Sequence, residues 1–196
     1  RWIGVRERDA AARDFSGQTP ERDRDRLRRE VEHHADAATV GGSTSDVPSW
    51  VDLASMFARQ PFVSSPQLLA DAARERRGRD LILWCAARLD EADRRSLLDG
   101  LLAALRSTPD GAGAHLAAAT SVVAWLCGDG ARANLAVERC LAEDPESTMG
   151  SLIDQTIAHA IPPAQVRAMF VGTPLSVLGL AEGLLDEGFT RRYSPA

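Results

Sequence analysis

A capping oxygen stands directly before a proline at Thr19-Pro20, Ser65-Pro66, Asp144-Pro145 and Thr173-Pro174. That order suits an N-cap followed by the first helical position: the side-chain oxygen accepts from an orphan N–H, and proline lacks a donor while holding a helical φ. Asp90-Glu91-Ala92-Asp93 adds a start of the capping-box type, with Asp in place of Glu. Between these marks the apolar residues recur at intervals of three and four. Trp50, Leu53, Ala54 and Phe57 follow i, i+3, i+4, i+7; Leu68, Leu69, Ala72 and Ala73 come next; Leu97, Leu98, Leu101, Leu102 and Leu105 make one stripe. Leu81-Ile82-Leu83-Trp84-Cys85 has the length of a buried strand, but Ala86-Ala87-Arg88-Leu89 continues it as a buried helix. Further helices are expected near 113–127, 130–143, 146–159, 163–171 and 174–187, with short connections that favour antiparallel neighbours. No segment alternates with period two. The expected class is all-α, built of antiparallel helical hairpins.

The sequence divides into a charged N-terminal helical arm, 1–42, and a helical body, 46–196. In the arm, Leu27, Val31 and Ala35 form a thin apolar stripe, and Asp25/Arg29 and Arg26/Glu30 are spaced to pair at i,i+4. Val40-Gly41-Gly42-Ser43-Thr44-Ser45 reads as the linker. The chain starts at Arg1 rather than Met and reads as the trimmed or C-terminal part of a longer protein.

Composition excludes several chemistries. Every one of the 23 basic residues is arginine, so neither a Schiff-base lysine nor a phosphate-binding P-loop lysine is present in the sequence. The net charge of -5 and pI near 5.4 oppose a global nucleic-acid surface, which needs cations to displace counterions. Cys85, Cys127 and Cys140 are odd in number and form no CxxC pair, so they read as small buried side chains rather than disulfides or zinc ligands. No apolar run approaches the ~20 residues of a membrane span. A cytoplasmic location without membrane contact is expected, and no cofactor motif stands out.

One stretch has a specific spacing. Gly128-Asp129-Gly130 ends an apolar helix, and Ala133, Val137, Cys140, Leu141 and Pro145 follow. This resembles the second half of a tetratricopeptide repeat: a small residue, an apolar one four later, and a closing proline. Ala133 is then small because its partner helix crosses closely. The first half departs from the pattern, since its large positions fall on Ala117, Thr120, Ser121 and Ala124. The reading is one repeat-like hairpin at 114–145, not an array. The longer block Val123-Ala124-Trp125-Leu126-Cys127-Gly128-Asp129-Gly130-Ala131-Arg132-Ala133-Asn134, running on to Asp144-Pro145 and then Pro162-Pro163, resembles the C-terminal region of an uncharacterised actinobacterial family, a domain of unknown function. The likeness is good over 114–170 and looser over 46–112. It implies a host class and a cytoplasmic location but no activity.

The function this supports is a non-catalytic protein-interaction or scaffolding module. Its candidate binding residues are Asp129, Arg132, Asn134 and Arg139 on the hairpin, facing a protein partner, with self-association through the N-terminal helix as a further expectation. Trp125 and Trp50 are candidate anchors. Two alternatives rest on the arm. Glu30, His33 and His34 place metal-binding groups on one helix face, as in a metal-binding or enzymatic helical protein that uses these histidines and nearby carboxylates, though a di-iron site needs a second such motif, which is missing. Arg26 and Arg29 belong to an Arg-rich run for nucleic acid, opposed by the interleaved Glu21, Asp23, Asp25 and Glu30.

Overall fold

The computed structural model describes residues 49–179, 185 and 187–193, and in them the chain is all-helical. The arm at 1–42, its linker, and with them Glu30, His33, His34, Arg26 and Arg29, lie outside the described residues. The helices are α1 (Ser49–Ala58), α2 (Pro66–Ala72), α3 (Arg76–Ala86), α4 (Glu91–Ser107), α5 (Ala114–Leu126), α6 (Gly130–Glu143), α7 (Thr148–Ala158), α8 (Pro163–Val171) and α9 (Glu187–Tyr193), with a 3-10 turn at Leu175–Leu178.

Helix α5 is the centre. It packs against α3, α4, α6, α7 and α8, and every residue from Leu116 to Ala124 is buried. A helix that is apolar on all sides has to be surrounded, and its run of alanines lets its neighbours approach. Its two hydroxyls are satisfied internally: Thr120 Oγ1 donates to the Leu116 carbonyl at 2.8 Å, and Ser121 Oγ donates across to the Ala133 carbonyl of α6 at 2.7 Å. The α5–α6 pair is the most extensive contact between helices. It is antiparallel, since Gly113 at the start of α5 meets Glu143 at the end of α6. The positions that fit a repeat poorly, Ala117, Thr120, Ser121 and Ala124, are all completely buried. Helix α3 fills one flank with Leu81 through Ala86 buried, and α4 adds Leu97, Leu101 and Leu105.

Two of the punctuation marks start helices. Ser65 accepts from the Leu68 N–H ahead of Pro66 at N1, and Asp90 accepts from the Asp93 N–H at the start of α4. Two do not. Asp144 ends α6, but Ser147 caps α7 by accepting from the Gly150 N–H, so the next helix begins three residues later than Pro145. Asp144 Oδ1 instead accepts from the Glu146 N–H in the connection. Thr173 turns its hydroxyl back to the Met169 carbonyl, and the helix expected over 174–187 is, in the described residues, only a 3-10 turn. It stops because Gly179 adopts a left-handed φ of 62°.

Candidate functional site

The block that carries the sequence resemblance folds into the tip of the α5–α6 hairpin. Helix α5 closes in a Schellman arrangement: the Gly128 N–H donates to the Trp125 carbonyl and the Asp129 N–H to the Ala124 carbonyl, both at 2.9 Å. Gly128 has φ +76°, a conformation that a side chain strains. The reversal places Asp129 at the N-cap of α6, where its carboxylate accepts from the Arg132 N–H at 3.0 Å and pairs with the Arg132 guanidinium at 2.5 Å. A carboxylate at a helix N-terminus also opposes the positive end of the dipole. Asn134 is exposed and donates to the Gly130 carbonyl at 3.0 Å. The half-buried Trp125 indole donates to the Ile161 carbonyl at 3.0 Å, tying the tip to the segment after α7. Trp125, Asp129, Arg132 and Asn134 therefore gather at one end of the hairpin. Arg132 and Asn134 leave opposite flanks of α6, about 160° apart around its axis.

Arg139 belongs elsewhere. It stands seven residues beyond Arg132, about 10 Å along the helix. Its side chain is only 9% exposed and is spent on the fold. Nε donates to Glu143 at 2.7 Å, and the terminal nitrogens donate to the Leu105 and Thr108 carbonyls at 2.9 and 3.0 Å. Glu143 in turn accepts from the Gly113 N–H at 2.6 Å. One buried ion pair thus satisfies the C-terminal carbonyls of α4 and an orphan donor at the start of α5. Arg139 is a brace at the base of the hairpin, and its guanidinium does not reach the tip.

Other arginines act in the same way. Arg88, Arg94 and Arg167 converge on the carboxyl end of α3, where the Trp84, Ala86, Ala87 and Leu89 carbonyls need partners from outside the helix. Arg94 donates to Ala86 and Leu89, Arg167 to Ala87, and Arg88 to Trp84 and on to Phe170, Val171 and Thr173. The Arg88 guanidinium also lies 3.5 Å over the Trp84 ring. Desolvation lowers the pKa of Arg88 and Arg94 from the usual guanidinium value. In the sequence these arginines look like solvated ones; Arg88 alone lies just past a helix end, while Arg94 and Arg167 lie inside α4 and α8. Among the described residues no buried side-chain nitrogen or oxygen lacks a partner.

The cysteines are free, with Cys85 and Cys140 buried and Cys127 half-buried. Burial pushes all three thiols up, which keeps them protonated and poor nucleophiles. Among the described residues no group of three or more His, Cys, Asp or Glu is placed to hold a metal, and no helix is long and apolar enough to cross a membrane. An open cleft of about 500 Å³ lies between α1 and α2, lined by Asp52, Ser55, Met56, Arg59, Val63 and Ser64 among others.

Residues 2–164 match the family described as domain of unknown function DUF4192. The chain belongs to the DUF4192 family. No curated protein and no solved structure matches it significantly. In this DUF4192 chain the matched region ends just inside α8, so most of α8, the 3-10 turn and α9 lie beyond it.

Proposed function

We propose that this chain is a non-catalytic interaction module that docks a protein partner on the tip of the α5–α6 hairpin. The observation that carries the reading is the placement of Trp125, Asp129, Arg132 and Asn134 at the tip of one rigid turn, with Arg132 and Asn134 on its opposite flanks. The tip is held from both sides, by the Ile161 carbonyl on Trp125 and by the Schellman closure. At the other end the Arg139–Glu143 brace fixes the register of the two helices. Polar groups presented on so rigid a support lose little entropy when a partner orders them, and a half-exposed tryptophan beside an ion pair has the make-up of an interface anchor. The repeat-like hairpin is consistent with this use.

The test is capture of partners from a lysate of the native host with the wild-type chain, Asn134→Ala and Arg132→Glu. A protein retained in stoichiometric amount by the wild type and lost with both variants establishes the reading. Asn134 is exposed, so its alanine variant keeps its stability within about 0.5 kcal/mol, and a loss of binding is then a surface effect. Equal retention by all three proteins overturns the assignment of the tip.

A further inference from the structure

The cleft beside α1 is bounded by an acid and a base that the fold does not use. Asp52, Ser55, Met56 and Arg59 fall within an arc of about 100° around the helix, while Leu53, Ala54 and Phe57 on the other side are in the core. Arg59 stands just past the last residue of α1, and its N–H continues the turn by donating to the Met56 carbonyl at 3.3 Å. Asp52 and Arg59 are exposed, and among the described residues neither the carboxylate nor the guanidinium has a partner. They stand two turns apart, about 10 Å along the axis.

The facing wall, residues 62–65, is not helical and ends in an extended Ser65. Its side chains alternate. Phe62 is buried and stacks on Phe57 with centroids 5.5 Å apart. Val63 is turned out and is 68% exposed. Ser64 is turned in, and its hydroxyl donates to the Ser96 carbonyl of α4 at 3.0 Å. The Ser65 N–H donates to Met56 Sδ at 3.4 Å, which fastens this wall to α1. A period of two is that of a strand, yet no strand pairs with it: among the described residues the Val63 N–H and C=O have no hydrogen-bond partner.

We infer that this cleft of about 500 Å³ binds a short zwitterionic peptide, laid extended between α1 and residues 62–65. An extended chain advances about 3.4 Å per residue, so about three residues carry an amino group to Asp52 and a carboxylate to Arg59. Val63 offers the backbone bonds by which a strand is added to an open edge, and Val63 and Leu68 offer apolar surface to the middle side chain. The carbonyls at the end of α1 oppose a bound carboxylate. That charge is already compensated, because the Phe57 and Arg59 carbonyls each accept from Arg192 at 2.9 Å. The site is separate from the hairpin tip.

The probe is the tripeptide Ala-Val-Ala, titrated into the full chain and followed by amide NMR shifts. Saturable shifts are expected at Val63 and Arg59. Exposed ion pairs are individually weak, so acetylating the amino end or amidating the carboxyl end is expected to weaken binding at least about threefold. Asp52→Asn lowers affinity for the free tripeptide by the same factor and leaves the acetylated form unaffected; Arg59→Gln does so with the amidated form. Asn134→Ala leaves binding unchanged, so failure here is distinct from failure of the tip reading. Absence of any saturable shift at about 10 mM tripeptide overturns the proposal. Binding indifferent to both caps, which needs no variant to observe, overturns the zwitterion in favour of a stretch within a longer chain. A further loss when Asp52→Asn meets the acetylated form overturns the pairing of that carboxylate with the amino end.

Discussion

At the residue scale the molecule is organised by arginines that have given up solvent for backbone carbonyls. The Arg139–Glu143 pair is the most instructive, because both side chains are under a tenth exposed and each also serves a backbone group. Removing one member of such a pair leaves the other charge uncompensated, which costs far more than the intact pair contributes. Arg139→Ala is expected to lower the unfolding free energy by about 3 kcal/mol. Glu143→Gln is expected to cost less, about 2 kcal/mol, since the amide oxygen still accepts from Gly113 and Asp110, 3.9 Å from the Arg139 guanidinium, still offsets part of its charge. Urea denaturation of the two variants checks the order; equal losses would mean that the ion pair rather than the Gly113 bond governs the site. The thiols give a pH dependence. Cys85 and Cys140 are raised above the ordinary thiol value of 9.0 by burial. Below that value both folded and unfolded chains keep their protons, and the contribution is fully present. As the pH rises past it, the unfolded chain releases protons that the folded chain retains, so stability falls until the folded thiols ionise. Tyr193 is raised from 10.0, mainly by burial, and adds a loss in the same direction at higher pH. Denaturation midpoints measured from pH 7 to 10 should fall only above about 9, and a Cys85→Ala, Cys140→Ala double variant should flatten that limb.

At the scale of elements, the connections decide what a pattern of periods cannot. Helix α7 ends with the same Schellman closure as α5: Ile161 N–H donates to Thr156 and Ala160 N–H to Ile157. The left-handed position is Ala160, at φ 50°. A β-carbon there costs about 1–2 kcal/mol, against about 0.5–1 kcal/mol of added unfolded-state freedom when glycine replaces alanine. Ala160→Gly is therefore expected to stabilise by about 0.5 kcal/mol, read as a higher thermal midpoint; a lower midpoint would show that the strain is relieved locally. The opposite exchange behaves differently at Gly78, where an added Cβ would stand 2.1 Å from the Ala72 carbonyl oxygen. That is backbone and cannot rotate away, so the roughly 1 kcal/mol helix preference of alanine loses to the packing clash. These cases show what was legible in the sequence. The apolar spacing marks α4 and α6 because there it records burial directly, and Ser65 and Asp90 mark true starts because nothing nearby competes with them. Pro145 and Pro174 misled because Ser147 offers α7 a better cap and Thr173 turns back on its own helix. The Ala160 closure left no trace, since glycine is the signal for such a turn and it is missing. Arg139 reads as a binding-face residue in the sequence because an arginine near a helix end looks the same whether it reaches for solvent or for a carbonyl.

At the scale of the whole molecule, the question is whether the segment beyond the family region is part of one cooperative core or a piece fastened to it. Phe189 and Arg192 hold α9 by different means, one by filling the space beside Trp84 and the other by bonds to α1 and α4. Taken alone, Phe189→Ala is expected to cost about 3 kcal/mol, and Arg192→Ala about 2 kcal/mol for its charge-assisted bonds. If the two contacts acted independently of one another, the losses would add to within about 0.5 kcal/mol, as those of separate sites do. A helix that docks as a unit behaves otherwise. Once either contact is gone, the cheapest response is for the whole segment to leave the groove, and the second substitution then removes a contact that no longer exists. The double variant is thus expected to cost at least about 1 kcal/mol less than the sum of the singles. Denaturation of the wild type, the two singles and the double in one buffer measures this coupling. Strict additivity would mean that α9 of this DUF4192 member does not leave as a unit, whereas the expected shortfall would make the α1–α3–α4 groove a surface that the chain covers with its own C-terminal helix.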